Sequence, residues 1–396
     1  MLLDYASGEA IPYLAIFTEC TSEKRPISLF GRWPEARYVL APTNTLLIRG
    51  PATIKLLEGN ASILAAPLQL NHGTFVFDQK QLPIEAESET VLEIDLKKSL
   101  RPFEIEGSTI PSSWDMAADA LLDMREGKVM VIGAPDVGKS TLSVYLTNRL
   151  MAHGYRVRVV DADIGQTDLG PPTTIGSAFP NRLITSLTDL TPAITLFIGH
   201  TNPTRVESKL IDDVQELSTD IDETMTIVNT DGWVSDPEAV LFKKRLITSL
   251  RPDLVLGLAK GNELHPILSS SRAESMNLNA AKQVLARSRS NRRDIRTAGY
   301  IKFLEGGRTR IIPIHDLQLL TPNRFPALWG PRSDELNGLI VGLTEENGHL
   351  IQIGIFRGVE GDGARVYCRD TMNLRKLEFG YIRLSTSGRE IGYFDP

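Results

Sequence analysis

The sequence predicts an α/β protein in which a central, mostly parallel sheet is flanked by an amino-terminal and a carboxy-terminal β domain. Strands and helices alternate in the middle of the chain, whereas both ends consist of short apolar runs broken by Pro, Gly and Asn. A chain of 396 residues is also long enough for two or three domains. We therefore predict an amino-terminal domain over residues 1–110, a central domain over 111–310 and a carboxy-terminal domain over 311–396.

The individual elements follow from local patterns. Alternating apolar runs predict strands of a small β-sandwich at 45–49, 52–57, 73–77 and 90–95. A helix over 113–125, with Ser113 as its N-cap, is expected to lead into the central domain. Continuous apolar runs, typical of parallel strands buried on both faces, predict the central sheet at 128–132, 156–161, 193–198, 225–229 and 254–258. The carboxy-terminal strands are predicted at 338–343, 349–356, 365–368 and 379–384.

A glycine-rich turn joins the first central strand to a helix. The turn has the pattern G-x-x-x-x-G-K-S, in which glycine lets the backbone bring its N–H groups against a phosphate that the helix dipole also attracts. Lysine in this pattern reaches the β- and γ-phosphates, and the serine hydroxyl binds Mg²⁺. The pattern therefore predicts a P-loop NTPase domain whose nucleoside triphosphate and Mg²⁺ are held by Gly133, Asp136, Val137, Gly138, Lys139, Ser140 and Thr141.

Polar residues follow three further strands of the predicted sheet. Ligands of parallel sheets bind beyond the carboxyl ends of the strands, so these residues are candidates for the site. Asp161 and Asp163 follow the second strand, and alternation places both on one side, where either could bind magnesium or take a proton. The next two strands end in 199–203 (Gly-His-Thr-Asn-Pro) and 229–233 (Asn-Thr-Asp-Gly-Trp). Trp233 could stack on a base, whereas His200 is interpreted as a structural residue.

Five arginines fall within residues 287–296 of an otherwise acidic chain. Arg289 and Arg293 are four residues apart, as are Arg292 and Arg296, so each pair shares one face of a helix. Like charges so placed are better tolerated with an anion between them, and phosphoryl transfer spreads negative charge over the γ-phosphate oxygens. We therefore interpret residues 283–297 as a mobile arginine lid, with a solvated surface helix as the alternative.

The overall composition is that of an ordinary globular protein. Hydrophobic residues make up 42%, charged residues 23%, and the formal net charge of −6 argues against a protein that coats nucleic acid non-specifically. Cys20 and Cys368 lie far apart without metal-ligand spacing, which indicates thiols in a reducing compartment. No apolar run approaches the about 18 residues of a membrane span, and the amino terminus lacks a leader pattern. We expect a soluble intracellular protein, cytoplasmic or nuclear, with no membrane partner.

The motifs, taken in order, resemble those of the polynucleotide 5′-hydroxyl kinases. This family includes the RNA kinase subunit of the pre-mRNA cleavage machinery and the kinase of ribosomal RNA processing. The resemblance rests on the glycine-rich turn at 133–141, Asp-Ile-Gly-Gln at 163–166, the two strand-end segments and the arginine run at 287–296. It extends to the three-part layout, except that the first 40 residues match no element of the family.

The resemblance also implies roles for individual residues. Lys139 and Ser140 would hold ATP and Mg²⁺, and Asp163 rather than Asp161 would orient and deprotonate the 5′-hydroxyl, with Gln166 nearby. A clasp on the terminal nucleotide would be formed by Thr201, Asn202 and Pro203, although Asn202 stands where some members have threonine. The lid arginines would be Arg292 and Arg296, with Arg293 as the alternative if the register differs by one.

The resulting hypothesis is a kinase that transfers the γ-phosphoryl group of ATP to 5′-hydroxyl ends of RNA, with DNA left open as a second acceptor. A switch GTPase would need an Asn-Lys-x-Asp guanine-reading motif, which the sequence lacks. A non-catalytic ATP-binding subunit of an RNA-processing complex is the other alternative. The presence of Lys139, Asp163 and the lid arginines argues against it.

Overall fold

Two β-sheets precede the central sheet in the computed structural model, which describes residues 35–96, 101–269, 271–315, 317–322 and 325–394. One sheet has the order β1-β8-β3-β6 and the other β5-β4-β7-β2-β9. Residues 1–34 of the predicted amino-terminal domain, including Cys20, lie outside the described residues. The strands are β1 (Glu35–Leu40), β2 (Thr45–Arg49), β3 (Ala52–Glu58), β4 (Ala61–Ile63), β5 (Ala66–Pro67), β6 (Gly73–Val76), β7 (Gln81–Ala86), β8 (Thr90–Leu96) and β9 (Phe103–Ile105).

The central sheet has seven strands in the order β13-β12-β11-β14-β10-β15-β16. Strands β11, β14, β10, β15 and β16 run parallel, and β12 and β13 are antiparallel additions at one edge. The elements are α1 (Ser112–Met124), β10 (Gly127–Gly133), α2 (Lys139–Ala152), β11 (Arg156–Ala162), β12 (Thr174–Ala178), β13 (Ile194–Phe197), α3 (Glu207–Leu217), β14 (Thr224–Thr230), α4 (Pro237–Leu250), β15 (Leu254–Ala259), α5 (His265–Leu268), β16 (Glu274–Asn279) and α6 (Arg289–Leu304).

Strand β10 shows why the central sheet is covered on both faces. Val129 and Val131 belong to a core shared with α1, α2 and the amino-terminal sheets. Met130 and Ile132 point the other way, into a core shared with α3 and α4. Successive side chains of a strand alternate between faces, so an all-apolar strand needs packing partners on each. The same burial attaches the amino-terminal sheets to the face of the central sheet that carries α2.

A third group of strands follows α6, in the order β17-β21-β20-β19-β22-β18, with β23 paired to β22. The strands are β17 (Arg308–Pro313), β18 (Gln318–Leu320), β19 (Leu339–Thr344), β20 (Leu350–Glu360), β21 (Gly363–Cys368), β22 (Lys376–Leu384) and β23 (Glu390–Tyr393). The predicted fold class, α/β with β domains on both sides, is confirmed. The exact domain boundaries stay a prediction.

Helix α6, which carries the arginines, is anchored at its carboxy-terminal half. Tyr300 and Leu304 are buried with Phe197 of β13 against isoleucines of the carboxy-terminal sheet. Ser288 caps the other end by accepting the backbone N–H of Asn291 at 3.1 Å. Because burial fixes the second half, any movement of the predicted lid has to come from the first half and from the segment before it.

Some local predictions are wrong. Ser113 is not the N-cap of α1, since the cap is Pro111 and the Ser113 hydroxyl instead accepts the N–H of Asn279 at 3.0 Å. Strands β12 and β16 are absent from the prediction, because neither has a long apolar run; β16 is an edge strand, whereas β12 pairs with β11 and β13. Within the described part of the chain, no helix combines the length and apolar character that a membrane crossing requires.

Candidate active site at the carboxyl edge of the central sheet

The turn between β10 and α2 forms the floor of the site. Gly138 immediately precedes α2 and has φ of +104°, a conformation that other residues adopt only with strain. Lys139 begins the helix, and its Nζ donates to the carbonyl oxygen of Ala134 at 3.0 Å, so the side chain curls back over the turn. Backbone N–H groups at the start of the helix face the same space. The floor therefore has the form of a phosphate cradle.

Lys139 is buried among carboxylates. Burial lowers the pKa of its ammonium group to about 8, and Asp163, Asp231 and Asp136 act in the opposite direction. An anion arriving in the cradle would add to these carboxylates and favour the charged form of the lysine. The site is thus suited to a strongly negative ligand.

Asp161 and Asp163, which the sequence could not distinguish, have different surroundings. Asp161 is buried and accepts hydrogen bonds from Asp168 N (2.6 Å), Asn229 Nδ2 (3.0 Å) and Thr167 Oγ1 (3.1 Å). Burial, with Asp168 and Asp163 nearby, raises the pKa of Asp161 to about 7. These bonds assign Asp161 to holding the strand end together.

Asp163 instead lines the open space next to Lys139. Its Oδ1 accepts the backbone N–H groups of Gly165 (3.1 Å) and Gln166 (3.0 Å), which fixes the orientation of the carboxyl group. The pKa of the Asp163 carboxyl is raised, because the effect of burial outweighs the opposing effect of the Lys139 charge. A carboxylate that is held in place and made more basic by burial is suited to accept a proton.

A single cleft of about 540 Å³ connects these groups. It is lined by residues of the amino-terminal region, the start of α2, the strand ends, the segment before α6 and the first half of α6. Predicted site residues that line it are Asp136, Gly138, Lys139, Ser140, Thr141, Asp163, Gln166, Thr201, Pro203, Trp233, Arg292 and Arg296.

The remaining predicted residues lie just outside the lining. Gly133 ends β10, and Val137 is buried in the core beneath the turn, so these two shape the turn from behind. Asn202 is exposed, and its side chain accepts the N–H of Thr204 at 3.1 Å. It therefore caps the short 3-10 helix Pro203–Arg205 and does not face the cleft.

The segment that follows β14 packs against the glycine-rich turn. A Cβ atom on Gly232 would lie 2.7 Å from the backbone nitrogen of Pro135, so only glycine permits this contact. Beside it, Asp231 forms a buried ion pair with Lys243 at 2.6 Å. Trp233 donates its indole N–H to Asp236 at 2.6 Å and stacks on Phe242 at 5.8 Å between centroids. One face of the indole is thereby covered, and the residue lines the cleft.

His200 is buried beside the predicted clasp, and its Nδ1 accepts the N–H of Asn202 at 2.7 Å. Burial is the main reason that the pKa of His200 is lowered to about 4, and the neighbouring charge of Arg205 adds to the effect. A neutral histidine that holds backbone in place agrees with a structural role.

Each lid arginine is paired with a carboxylate. Arg292 donates to Asp136 at 2.7 Å, and Arg296 donates to both oxygens of Glu390 at 2.6 and 2.8 Å. Arg293 donates to the main-chain carbonyl oxygen of Glu390. The expected single anion between Arg292 and Arg296 is therefore replaced, in this structure, by two carboxylates from different parts of the chain.

Gln166 connects Asp163 to the lid. Its Nε2 donates to the carbonyl oxygens of Gly165 (2.6 Å) and Arg292 (3.3 Å). Its Oε1 is buried and has no hydrogen-bond partner among the described residues. An acceptor left in that state costs free energy unless a ligand donates to it.

Three residues of the site were not identified from the sequence. Asp168 binds Lys80 of the amino-terminal sheets at 2.7 Å, and Glu390 binds the lid. Neither contact has a signal in the sequence, since both join distant segments. Asn229 belongs to a segment that the sequence analysis did single out, but its contact with Ser140 was not foreseen.

The donor set fits the magnesium ion that the glycine-rich turn implies. Asn229 Nδ2 lies 3.4 Å from Ser140 Oγ, and Asn229 Oδ1 is a buried acceptor for which the described residues provide no donor. With Asp161 and Asp163 alongside, the group is rich in the oxygen ligands that Mg²⁺ and its bound water prefer.

A phosphate cradle facing an oriented carboxylate is the arrangement needed to move a phosphoryl group onto an acceptor. The fold and the cleft together define a P-loop phosphotransferase. The family model for the P-loop of the mRNA cleavage and polyadenylation factor CLP1 matches residues 133–306. The chain is also similar to proteins described as polyribonucleotide 5′-hydroxyl-kinases and to CLP1 homologues.

Individual relatives match over most of their length. A polyribonucleotide 5′-hydroxyl-kinase of Pyrococcus furiosus is 28% identical over 341 residues, covering 72% of this chain and 96% of that protein. One of Methanocaldococcus jannaschii is 26% identical over 329 residues, covering 68% and 90%. In the solved structure of the wild-type Clp1p–Pcf11p complex, the matching chain has a TM-score of 0.68 at 14% identity, with 88% of this chain and 98% of that chain covered. That structure shows a common fold.

Proposed function

We propose that this protein is an ATP-dependent polynucleotide 5′-hydroxyl kinase that transfers the γ-phosphoryl group of ATP to the 5′-hydroxyl end of RNA. The observation that carries the proposal is that Lys139, Asp163 and Arg292 line one cleft. The names of the relatives support a polyribonucleotide as acceptor. These names do not favour the alternative, a non-catalytic ATP-binding subunit of an RNA-processing complex.

The phosphate donor would lie along the floor of the cleft. Its phosphates would be held by the backbone N–H groups of the turn, by Lys139 and by the start of α2. The end of the cleft beyond Thr141 is lined by Val144 of α2 and by the amino-terminal residues Leu47, Leu64 and Leu82. These apolar side chains support the placement of the nucleotide base between α2 and the amino-terminal sheets.

Mg²⁺ would be held by Ser140, with Asp163 and Asn229 beside it, where it would neutralise charge on the β- and γ-phosphates. The protein's own contribution on this side is to keep these oxygens in place. Asp161 does so through its hydrogen bonds to the N–H of Asp168 and to Asn229.

The acceptor would lie at the opposite end, between Asp163, Thr201, Pro203 and Trp233. Asp163 accepts the proton of the 5′-hydroxyl while the oxygen of that hydroxyl attacks the γ-phosphorus in line. The bond between that phosphorus and the bridging oxygen breaks, and its electron pair leaves with ADP. No covalent enzyme intermediate is needed, because both substrates are held in one cleft.

The lid arginines would neutralise charge on the transferred group. Arg292 is held by Asp136 next to the phosphate cradle, so exchanging this carboxylate for a γ-phosphate oxygen requires only a short movement. Arg296 would approach from the side of Glu390. Charge-assisted contacts made mainly in the transition state lower the barrier.

Incubation with a 5′-hydroxyl oligoribonucleotide and ATP labelled in the γ-phosphate tests the proposal, with a DNA oligonucleotide in parallel. We expect label on the 5′ end, and Asp163→Asn is expected to bind ATP normally while losing transfer. Because burial raises the pKa of Asp163, wild-type transfer should fall as the pH is lowered through that pKa and the base becomes protonated. Folded wild-type protein that labels neither RNA nor DNA would contradict the proposal.

A further inference from the structure

Strand β23 contacts both the lid and the residue that precedes the clasp. Its first residue, Glu390, holds the guanidinium of Arg296, which lines the cleft. Its last residue, Tyr393, has its ring centroid 5.5 Å from that of His200, and His200 precedes the clasp residue Thr201. The carboxy-terminal sheet therefore contributes side chains next to both elements that face the acceptor.

An irregularity in the pairing of β23 with β22 sets the direction of these side chains. The register shifts between Arg383 and Leu384, so that Glu390 lies opposite Leu384. Tyr393 lies opposite Ile382. Leu384 and Ile382 are two apart and both belong to the core that packs against α6, so their partners point to the same side. In a regular strand, residues three apart would point to opposite faces, and the shift keeps Tyr393 on the same side as Glu390.

Tyr393 is an exposed ring with a rigid support. It is 53% exposed, and its ring plane lies at 31° to that of His200. His200 is itself fixed by the N–H of Asn202 and by an edge contact with Tyr381 at 5.5 Å. An aromatic ring that is already held in place loses little conformational freedom when a base stacks on its open face.

We propose that Tyr393 stacks on a base of the acceptor beyond its terminal nucleotide. This inference rests on the proposed function and adds that the enzyme selects oligonucleotides over mononucleotides. Unstacked bases of single-stranded RNA bind aromatic side chains in this way, and every base offers such a face, so the contact is independent of sequence.

The test compares a hexaribonucleotide with a ribonucleoside 3′-phosphate as acceptor. We expect Tyr393→Ala and Tyr393→Leu to raise the KM for the hexanucleotide about tenfold, with little change in kcat, and so to reduce the preference for the longer acceptor by that factor. Tyr393→Phe, which keeps the ring, should restore the wild-type KM. Trp329→Ala removes another aromatic side chain of the carboxy-terminal region that is 51% exposed, and should leave the preference unchanged.

Hexanucleotides with one abasic position locate the contact. In the wild type, removing the base at position 2, 3 or 4 should raise the KM about tenfold at one of these positions. The same abasic substrate should produce no further increase in Tyr393→Ala, because the stack is already lost. An equal loss with both acceptors, no loss with either, or an undiminished abasic effect in the variant overturns the inference. A wild type that phosphorylates neither acceptor overturns the proposed function itself.

Discussion

The phosphate cradle at the donor end and the arginine lid are built in different ways. The cradle, Lys139 and Ser140 come from one uninterrupted stretch that runs from the end of β10 into the start of α2. The lid is held by contacts between distant residues, since Arg292 reaches a partner 156 residues away in the cradle itself, and Arg296 a partner 94 residues away. Local backbone geometry organises the cradle, whereas contacts between separate parts of the fold organise the lid.

The cradle and the lid also differ in the partners that their cationic side chains have in the structure. At the donor end, Lys139 is buried, and its Nζ is hydrogen-bonded to the carbonyl oxygen of Ala134 within the turn. The lid arginines, in contrast, are paired with protein carboxylates, and in the proposed mechanism they would exchange at least one of these carboxylates for phosphate oxygens. Substitutions in the cradle itself should therefore abolish transfer, and those in the lid should reduce it by graded amounts.

The largest effect is expected from Lys139→Met. Removing the cleft lysine that lies beside Asp163 should lower kcat/KM for the RNA acceptor by more than about 10³-fold, because charge on the β- and γ-phosphates loses its main protein counterpart. Lys260→Met, at the carboxyl end of β15 but outside the cleft lining, is the control and should stay within about twofold. Transfer by folded Lys139→Met at more than a tenth of the wild-type rate would show that the donor end does not depend on this residue.

The second prediction concerns the lid. Arg292→Ala should lower kcat by about 10²- to 10³-fold with little change in the KM for ATP, since its contact with the phosphoryl group forms mainly in the transition state. Arg289→Ala removes a positive charge from the first turn of the same helix, at an exposed position outside the cleft lining, and should have almost no effect. Steady-state kinetics of the two variants side by side would show whether position or net charge matters. Equal losses of kcat in Arg292→Ala and Arg289→Ala would indicate that the helix acts only through its overall positive charge.

The same contrast explains what could be predicted from the sequence. The P-loop and the carboxyl ends of the strands follow from local rules: glycine where the backbone turns, lysine and serine after it, polar residues where apolar strands stop. Asp161 and Asp163 could be placed at one edge from periodicity alone. Their division of labour could not, because it depends on Asn229 and Asp168, which only the folded sheet brings to Asp161.

The arginine lid could be predicted from the sequence only in part. The spacing of the arginines predicted a helix face, and α6 begins at Arg289. The carboxylates that hold them could not be inferred, because Glu390 belongs to an edge strand without a recognisable motif and Asp136 had already been interpreted as part of the nucleotide cradle. The burial of Tyr300 and Leu304 could not be inferred either, because they pack against a sheet formed by residues further along the sequence.

Glu390→Gln tests the support of the lid by the carboxy-terminal sheet. The amide keeps the shape of the side chain but weakens the paired contacts with Arg296, so that guanidinium should sample several positions. We expect kcat to fall about tenfold, with the KM for ATP unchanged, because the arginine is still present but poorly positioned. The matched control is Glu335→Gln, which weakens an exposed arginine pair of the same region and should leave kcat unchanged. If Glu390→Gln were as active as wild type, the pair with Arg296 would be a resting-state contact only.

The smallest effect is expected where the amino-terminal sheets meet the donor end. Lys80 binds Asp168, whose backbone N–H in turn holds Asp161, so Lys80→Met should loosen the contact between the two regions and raise the KM for ATP by about threefold. Lys55→Met removes a lysine of the same region from an exposed pair with Glu93 at 3.8 Å and should leave this KM unchanged. Equal KM values for Lys80→Met and wild type would mean that the donor end functions without this bridge. In that case the local turn alone would account for ATP binding, and the contrast between the cradle and the lid would be sharper than the structure suggests.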